Sequence, residues 1–278
     1  MMKVDESGIK KELEEIYDIP FSVKKINESG EAALLIGPAH TGEDLFQIKM
    51  TYRNEVRLIM DFMPEKYSAD FIRTMALKGK EEKSVFMRYA HMMTAKGANC
   101  LVRINGKELE MEEGSAWPEE WKECSIRVTC IPDAEGAGFD CSKELKMWAN
   151  LMMGLILSLA DIVPVDSEEA GAGYTEGNKT RVEENRYERN ILNRNLCLQE
   201  KGYSCLVCGM NFEQTYGPEG HHFIHVHHLI PVSQLGGACV IDPVKDLVPV
   251  CPNCHAMLHR RNPPYTPEEL KEFMERII

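Results

Sequence analysis

The chain has 278 residues, of which 44% are hydrophobic and 27% are charged, and its net charge at pH 7 is −12. This composition is ordinary for a globular protein, and the length allows two domains. The acidic balance argues against a protein that coats nucleic acid without regard to sequence, because such binding depends on positive charge. A local basic patch is still compatible with it.

The cellular context is inferred from what the sequence lacks. Residues 1–20 contain no apolar core of a secretory signal, and the longest apolar run, residues 147–163, contains Asn150 and Asp161. That run is short for a membrane span and is typical of a buried core helix. We therefore expect a cytoplasmic protein without membrane contact, in which thiols stay reduced and Cys-x-x-Cys pairs bind metal rather than form disulfides.

The first predicted elements are a helix, several strands and a helix pair. Residues 1–20 form a charged amphipathic pattern that closes at Asp18, and alternating polar and apolar residues from Phe21 onward are typical of strands. Ser68 is a candidate cap for the helix pair that follows, which is interrupted near Gly79.

A hairpin, one more strand and an apolar helix complete the first half of the chain. Asn105–Gly106 is the strongest short hairpin signal in the sequence, residues 124–132 are strand-like, and residues 142–162 are typical of an apolar helix. These patterns predict an α+β domain with an antiparallel sheet over residues 1–165. It contains no catalytic motif, and we expect it to be a specificity or regulatory domain.

Isolated metal-binding residue types in this half are interpreted as ordinary. His40 and His91 each lie far from any partner motif, and surface or core positions explain them. Four dispersed cysteines are expected to be buried thiols rather than metal ligands: Cys100, Cys124, Cys130 and Cys141. Residues 163–181 are rich in Gly, Ser, Thr and acidic residues and are typical of a linker or exposed loop.

Residues 166–278 contain the chemistry-bearing motifs, and the first of these is a pair of Cys-x-x-Cys sequences. Cys205 and Cys208 form one pair, and Cys251 and Cys254 form the other. Four thiolates suit a closed tetrahedral zinc site, and the x-x spacing allows each pair to grip one ion from a tight turn. We predict a structural Zn²⁺ that stabilises a domain with a small core.

The histidines indicate a second site. Seven of the nine histidines lie between residues 221 and 259. His255 and His259 are spaced i, i+4, so they project from one face of a helix. His227 and His228 are adjacent on a predicted strand, so they point to opposite faces. Three imidazoles around an ion with open positions are typical of a catalytic site; a second closed zinc site is the alternative.

These motifs resemble a known family. From about residue 176 onward the chain is similar to HNH nucleases of the ββα-metal group in their zinc-knuckle form, and among them to McrA-like restriction nucleases of modified cytosine. The matching pieces are "RYERNILNRN", "CLVCGMNFEQTYG", "HVHHLIPVSQLGG" and "VKDLVPVCPNCHAMLH". The resemblance implies a ββα-metal nuclease domain with a structural zinc over residues 166–278, following the α+β domain.

The resemblance also implies roles for individual residues. It assigns His228 as the general base and places the catalytic ion, Mg²⁺, Mn²⁺ or Ni²⁺, on His227, His255 and His259. The middle Asn of the family's motif corresponds to Asp246, a departure that still allows a hydrogen bond to the second ring nitrogen of His228. Asn253 is the competing candidate for that Asn.

Phosphodiester hydrolysis needs a nucleophile, neutralisation of charge at the phosphate and stabilisation of the leaving oxygen, and this set of residues supplies a base and an ion site. Contact with DNA is expected from local basic residues: Arg186, Arg189, Arg194, Arg260 and Arg261. For the segment upstream of the first cysteine pair, a solvated helix with internal ion pairs is an equally good interpretation.

Two functions of different classes are compatible with the sequence. The first is a metal-dependent HNH DNA endonuclease in restriction or anti-phage defence, acting as a homodimer or with partner proteins of a defence system. The second is a zinc-stapled module that binds nucleic acid or protein without cutting, which Asp246 in place of Asn favours. At the end of the chain, Thr266 and Pro267 are expected to begin a last helix.

Overall fold

The computed structural model describes residues 5–28, 31–39, 45–53, 57–65, 69–112, 115–132, 141–160, 191–230 and 241–276. The chain forms two compact units, residues 1–170 and residues 171–278. The domain boundary expected at residues 165 and 166, the linker, Ser68 and His40 lie outside the described residues. Among the helices that are described, none is long and apolar enough to cross a bilayer.

Over its described residues, the first unit combines four helices with a seven-stranded sheet. The helices are α1 (Glu6–Tyr17), α2 (Ala69–Ala76), α3 (Lys80–Ala95) and α4 (Cys141–Leu157). The strands are β1 (Phe21–Glu28), β2 (Glu31–Pro38), β3 (Phe46–Arg53), β4 (Arg57–Pro64), β5 (Asn99–Ile104), β6 (Lys107–Glu108) and β7 (Cys124–Cys130).

The sheet is antiparallel throughout, and its strand order is β1-β2-β3-β4-β7-β5-β6. Strand β7 therefore lies between β4 and β5, although it follows both in sequence. The hairpin expected at Asn105–Gly106 joins β5 to β6, and both residues have positive φ, 52° and 75°. Two consecutive residues in the left-handed region form the tight turn that matches the twist of paired strands.

Helix α4 is the core helix expected from its apolar sequence. Trp148, Leu151 and Met152 are each no more than 2% exposed, and Tyr17 of α1 donates a 2.7 Å hydrogen bond to the side chain of Asn150. That bond satisfies a polar group that would otherwise be costly to bury. At Gly154 a side chain would collide with the ring of Tyr89 on α3, at 2.3 Å, so glycine allows the two helices to pack closely.

The face of the sheet that carries polar strand positions is lined by charged pairs. Arg127 binds Asp61 at 2.6 Å and Arg53 binds Glu31 at 3.1 Å. They surround a cavity of about 310 Å³ with Thr51 among its lining residues. Polar residues at alternate strand positions are what a sheet needs when one face packs on helices and the other meets water.

In its described residues, the second unit contains a small hairpin and four helices. These elements are α5 (Ile191–Lys201), α6 (Phe212–Tyr216), a 3₁₀ turn (Gly217–Gly220), β8 (His225–His228), β9 (Leu247–Val250), α7 (Pro252–Leu258) and α8 (Pro267–Glu275). Strands β8 and β9 pair antiparallel, with His227 opposite Val248 and His228 opposite Leu247. Helix α8 begins as expected, with Thr266 as its cap.

The core of this unit is small and includes cysteines. Its fully or nearly buried members are Leu198, Cys205, Val207, Ile224, Val248, Val250, Cys251, Cys254, Leu258 and Leu270. A core of this size gives limited hydrophobic stabilisation. A metal bound by the buried cysteines would add the cross-link that such a unit needs.

Candidate metal centre and active site

The first Cys-x-x-Cys pair lies on a tight turn. The backbone N–H of Gly209 donates to the carbonyl of Cys205 at 2.8 Å, and the N–H of Cys205 donates to Met210 at 2.9 Å. Gly209 has a φ of 74°, which a glycine adopts without steric cost. The turn therefore holds Cys205 and Cys208 on the same side. The N–H of Leu206 donates to Pro249 of β9 at 2.9 Å, which brings the second pair near.

The second pair begins helix α7. Cys251 is the N-cap, and its Sγ accepts a hydrogen bond from the N–H of Cys254 at 3.4 Å. The four sulfur atoms lie within 4.8 Å of one another, and the Sγ atoms of Cys208 and Cys251 are 3.7 Å apart. Sulfurs bound tetrahedrally at about 2.3 Å from zinc lie roughly 3.8 Å apart. The four cysteines therefore fit a structural zinc.

The surroundings of Cys205 favour a metal-binding thiolate. Burial raises the pKa of this thiol, but backbone N–H groups of Cys208, Cys251 and Val207 outweigh burial and lower the pKa below its ordinary value. Burial and neighbouring cysteines instead raise the pKa of Cys208 and Cys254. The thiolate is the form that binds metal, so a bound cation would supply the charge that stabilises the thiolates of this cluster.

A second cluster lies beside the first and consists of the three histidines expected to hold the catalytic ion. One ring nitrogen from each of His227, His255 and His259 lies within 4.8 Å of the other two. The ring centroids are 4.9–5.3 Å apart. Nitrogens bound at about 2.1 Å from one ion lie roughly 3–4 Å apart, so small side-chain rotations would let all three bind a single ion.

Burial keeps His227 and His255 neutral, which is the form that binds metal. His227 is 2% exposed, and burial together with the neighbouring histidines lowers its pKa to about 3. The same causes lower the pKa of His255 to about 4. His259 is exposed at the end of α7. The three imidazoles form a ligand set without a carboxylate, which matters for the choice of ion.

The two clusters are joined at consecutive residues. Cys254 belongs to the sulfur cluster and His255 to the histidine cluster, and both lie on α7. The helix therefore fixes the two sites relative to each other.

His228 follows His227 on β8 and is half-buried. Burial lowers its pKa, and the charge of Asp246 opposes that shift. Asp246 is itself held in place, because its Oδ2 accepts from the N–H of Asp242 at 2.7 Å and its carbonyl accepts from the N–H of Leu229 at 2.8 Å. Asn253 is exposed at the start of α7. Of the two candidates for the middle position, Asp246 is the one whose charge acts on His228.

Comparison with known proteins identifies this arrangement. Residues 205–261 match the family model of HNH endonucleases. An HNH endonuclease domain thus occupies this part of the chain. The match includes both cysteine pairs, His227, His228, Asp246 and the two helix histidines.

One characterised relative supports the same assignment. Over 127 residues the chain is 32% identical to the type IV methyl-directed restriction enzyme EcoKMcrA of Escherichia coli (strain K12). The similarity covers 40% of this chain and 43% of that protein, so the chain matches less than half of the relative's length. No solved structure gives a significant match.

The basic residues expected to contact DNA have different surroundings in the HNH domain. Arg186 and Arg189 lie outside the described residues. Arg260 is exposed directly after the histidine helix, and Arg261 stacks on Tyr265 and binds Glu269 at 2.9 Å. Both positions are accessible from solvent.

Arg194 has a structural contact within the HNH domain. Its guanidinium donates to the carbonyl of Ile224 at 2.8 Å, and burial lowers its pKa. The side chain therefore anchors the start of β8 from α5. Sequence alone could not show this, because the carbonyl acceptor is far along the chain. The contact of Arg194 with DNA phosphate stays a prediction.

His225 is a residue of the HNH domain that the sequence analysis did not single out. It lies on β8 two residues before His227, and its Nδ1 is 3.3 Å from Nδ1 of His255. The alternation of a strand places His225 and His227 on the same face. That periodicity was the signal that could have identified it.

Proposed function

We propose that the protein is a metal-dependent DNA endonuclease whose HNH domain hydrolyses phosphodiester bonds. The observation that carries the proposal is the convergence of His227, His255 and His259 beside His228. The charge of Asp246 raises the pKa of His228 and opposes the effect of burial. For His227 and His255, burial and the neighbouring histidines all lower the pKa, so the environment of His228 is different. One group of residues suits an ion and the other suits proton transfer.

These side chains would have different roles in phosphodiester hydrolysis. A divalent ion held by the three imidazoles would neutralise charge at the phosphate and stabilise the leaving oxygen. His228 is neutral near pH 7, because burial lowers its pKa, and it accepts a proton from the attacking water. The Asp246 carboxylate stabilises the imidazolium that results.

The ligand set favours particular ions. Imidazole nitrogens suit Ni²⁺, Mn²⁺ binds such ligands least tightly among the first-row divalent metals, and Mg²⁺ prefers oxygen ligands. We therefore propose Ni²⁺, and less favourably Mn²⁺, rather than Mg²⁺, as the catalytic ion, and Zn²⁺ on the four cysteines.

The biological substrate follows by analogy. The E. coli relative is a methyl-directed restriction enzyme, and we propose that this protein also acts on modified or foreign DNA in restriction or anti-phage defence. The first unit is then a specificity or regulatory module. The net charge of the whole chain, −12, would keep binding to unselected DNA weak.

The deciding experiment uses the full-length protein on supercoiled plasmid, either unmodified or cytosine-methylated, with Mn²⁺, Ni²⁺ or Mg²⁺ supplied separately. We expect cleavage with Mn²⁺ or Ni²⁺ and its loss in His228→Ala. His91→Ala is the matched control, because His91 is an exposed histidine of the first unit whose ring contacts the carbonyl of Met111.

One observation favours a second function. Asp246 stands where the HNH motif has Asn, which suits a domain that retains zinc but has lost hydrolysis. A zinc-stapled binding module of this kind would retard the plasmid on a gel without cutting it under any of these ions. Retardation by the wild type without cleavage would select this second function.

A further inference from the structure

His225 lies against the histidine cluster without being one of its three members. On β8 it pairs with Val250, whereas His227 pairs with Val248, so the two histidines lie on one face of the hairpin. The rings of His225 and His227 are each 5.3 Å from the ring of His255, measured between centroids. His255 is thus contacted from two alternate positions of the same strand.

The contact with His225 uses one particular nitrogen of His255. Their Nδ1 atoms are 3.3 Å apart, within hydrogen-bond distance. A neutral imidazole has one N–H and one lone pair. If His255 binds an ion through Nε2, its proton is on Nδ1, and that N–H donates to the lone pair of Nδ1 on His225.

The position of His225 is itself fixed. Arg194 on α5 donates to the carbonyl of the preceding residue, Ile224, at 2.8 Å. Strand pairing with β9 fixes the following residues. The acceptor nitrogen therefore belongs to a side chain whose backbone is restrained on both sides.

We infer that His225 is a positioning residue, which accepts a hydrogen bond from Nδ1 of His255 and thereby sets the tautomer and ring orientation in which His255 binds the ion. Outer hydrogen-bond partners of this kind orient metal-binding histidines and contribute to affinity. The convergent nitrogen donors within 4.8 Å of one another come from His227, His255 and His259. Among the described residues His225 is outside that set, so we assign it a supporting role and not that of a ligand.

The inference rests on the proposed function for its catalytic meaning, but its test is metal binding. Full-length, zinc-loaded protein is titrated with Co²⁺, which reports coordination through its visible spectrum. Three substitutions are compared with the wild type. His225→Phe keeps a ring without a hydrogen bond, His225→Asn restores an acceptor near the position of Nδ1, and His227→Ala removes a direct ligand. Zinc content and the thermal midpoint show that each variant is folded.

We expect His225→Phe to weaken Co²⁺ binding about 10- to 100-fold, as removal of outer partners does elsewhere. His225→Asn should recover most of that loss, and both variants should keep the wild-type spectral shape. Wild-type affinity in His225→Phe would overturn the inference. A spectrum changed in the same way as that of His227→Ala would also overturn it, because His225 would then be a ligand.

Co²⁺ binding and DNA cleavage, measured together, distinguish failure of this inference from failure of the proposed nuclease function. If the wild type binds Co²⁺ and His225→Phe binds it weakly, yet no DNA is cut with any ion, the positioning role stands and the nuclease activity does not. If DNA is cut and His225→Phe binds Co²⁺ normally, the nuclease stands and the positioning role does not. The two results are therefore separable.

Discussion

The Sγ atoms of Cys208 and Cys251 lie 3.7 Å apart, although the two residues belong to different Cys-x-x-Cys pairs and to different local structures. The first pair is on a glycine-containing turn, and the second begins α7. A single zinc ion bound between them would cross-link the turn to the start of α7.

Replacing Cys254 with Ser should therefore release zinc and unfold the second unit. Structural zinc contributes about 10–16 kcal/mol of apparent binding free energy in small zinc domains, which is comparable to the whole stability of a domain, about 5–15 kcal/mol. The measurements are zinc content by atomic absorption and thermal unfolding. Cys100→Ser, in the first unit, is the control that should retain zinc. If Cys254→Ser keeps its zinc and its thermal midpoint, the four-cysteine site is wrong.

Substitutions of His228 and His259 should impair DNA cleavage in different ways. His228→Ala should lower the cleavage rate about 10²- to 10⁴-fold, which is the usual contribution of a general base, with Co²⁺ affinity close to that of the wild type. His259→Ala should lose cleavage because it loses the ion. Single-turnover cleavage and Co²⁺ titration on the same preparations separate the two. An active His228→Ala protein would move the base to another residue, with His227 examined first.

Arg194 and Arg260 offer a matched pair of arginines. Arg194→Ala removes hydrogen bonds to the backbone before β8 and should cost about 1–3 kcal/mol of unfolding free energy. Arg260→Ala should leave stability unchanged and reduce the salt dependence of DNA binding by about one phosphate contact. Urea unfolding and binding across a salt series check both. A destabilised Arg260→Ala protein, together with a stable Arg194→Ala protein whose DNA binding depends less on salt, would contradict these two roles.

Cys124 and Cys130 of the first unit should be resistant to alkylation in the folded protein. Burial raises the pKa of Cys124 from 9.0 to about 12 and raises that of Cys130 to about 12 as well. The thiolate is the reactive form, so alkylation of the folded protein should still rise about tenfold per pH unit above pH 9, where that of the unfolded chain levels off. Iodoacetamide labelling with and without urea, read by mass spectrometry, tests this. Equal rates in the two states at pH 8 would contradict it.

The two units should differ in what they contribute to DNA cleavage. A fragment of residues 171–278 contains the described cysteine and histidine clusters, so we expect it to cut DNA weakly and without preference at low salt. The full-length protein should show preference for particular DNA or require a signal. Both proteins are compared on unmodified, cytosine-modified and phage DNA across a salt series. Identical substrate profiles would limit the first unit to stability or assembly.

Local patterns predicted the local parts of the fold. Asn105 and Gly106 specified their hairpin because two residues with positive φ are favoured there in any context. The spacing of the cysteine pairs and of His255 and His259 likewise predicted which residues gather, because turn and helix periodicity alone bring such residues to one face.

Long-range relationships could not be predicted in this way. The placement of β7 between β4 and β5 depends on pairings between distant segments, and the sequence of one strand does not specify its neighbour. The same applies to Arg194 and to His225, whose partners lie on other elements. His225 was within reach of strand alternation, but its significance depends on where α7 lies.

Cys254 and His255 are neighbours on α7 and belong to different clusters, and this has a practical consequence for enzymology. Loss of activity on addition of a chelator would not reveal which ion had been removed, because stripping zinc from the sulfurs would displace the adjacent imidazole as well. Adding metal ions back to the chelator-treated protein is the informative experiment. Activity that returns with Mn²⁺ alone reports on the histidines, whereas activity that returns only when Zn²⁺ is supplied first means that the whole helix had been lost.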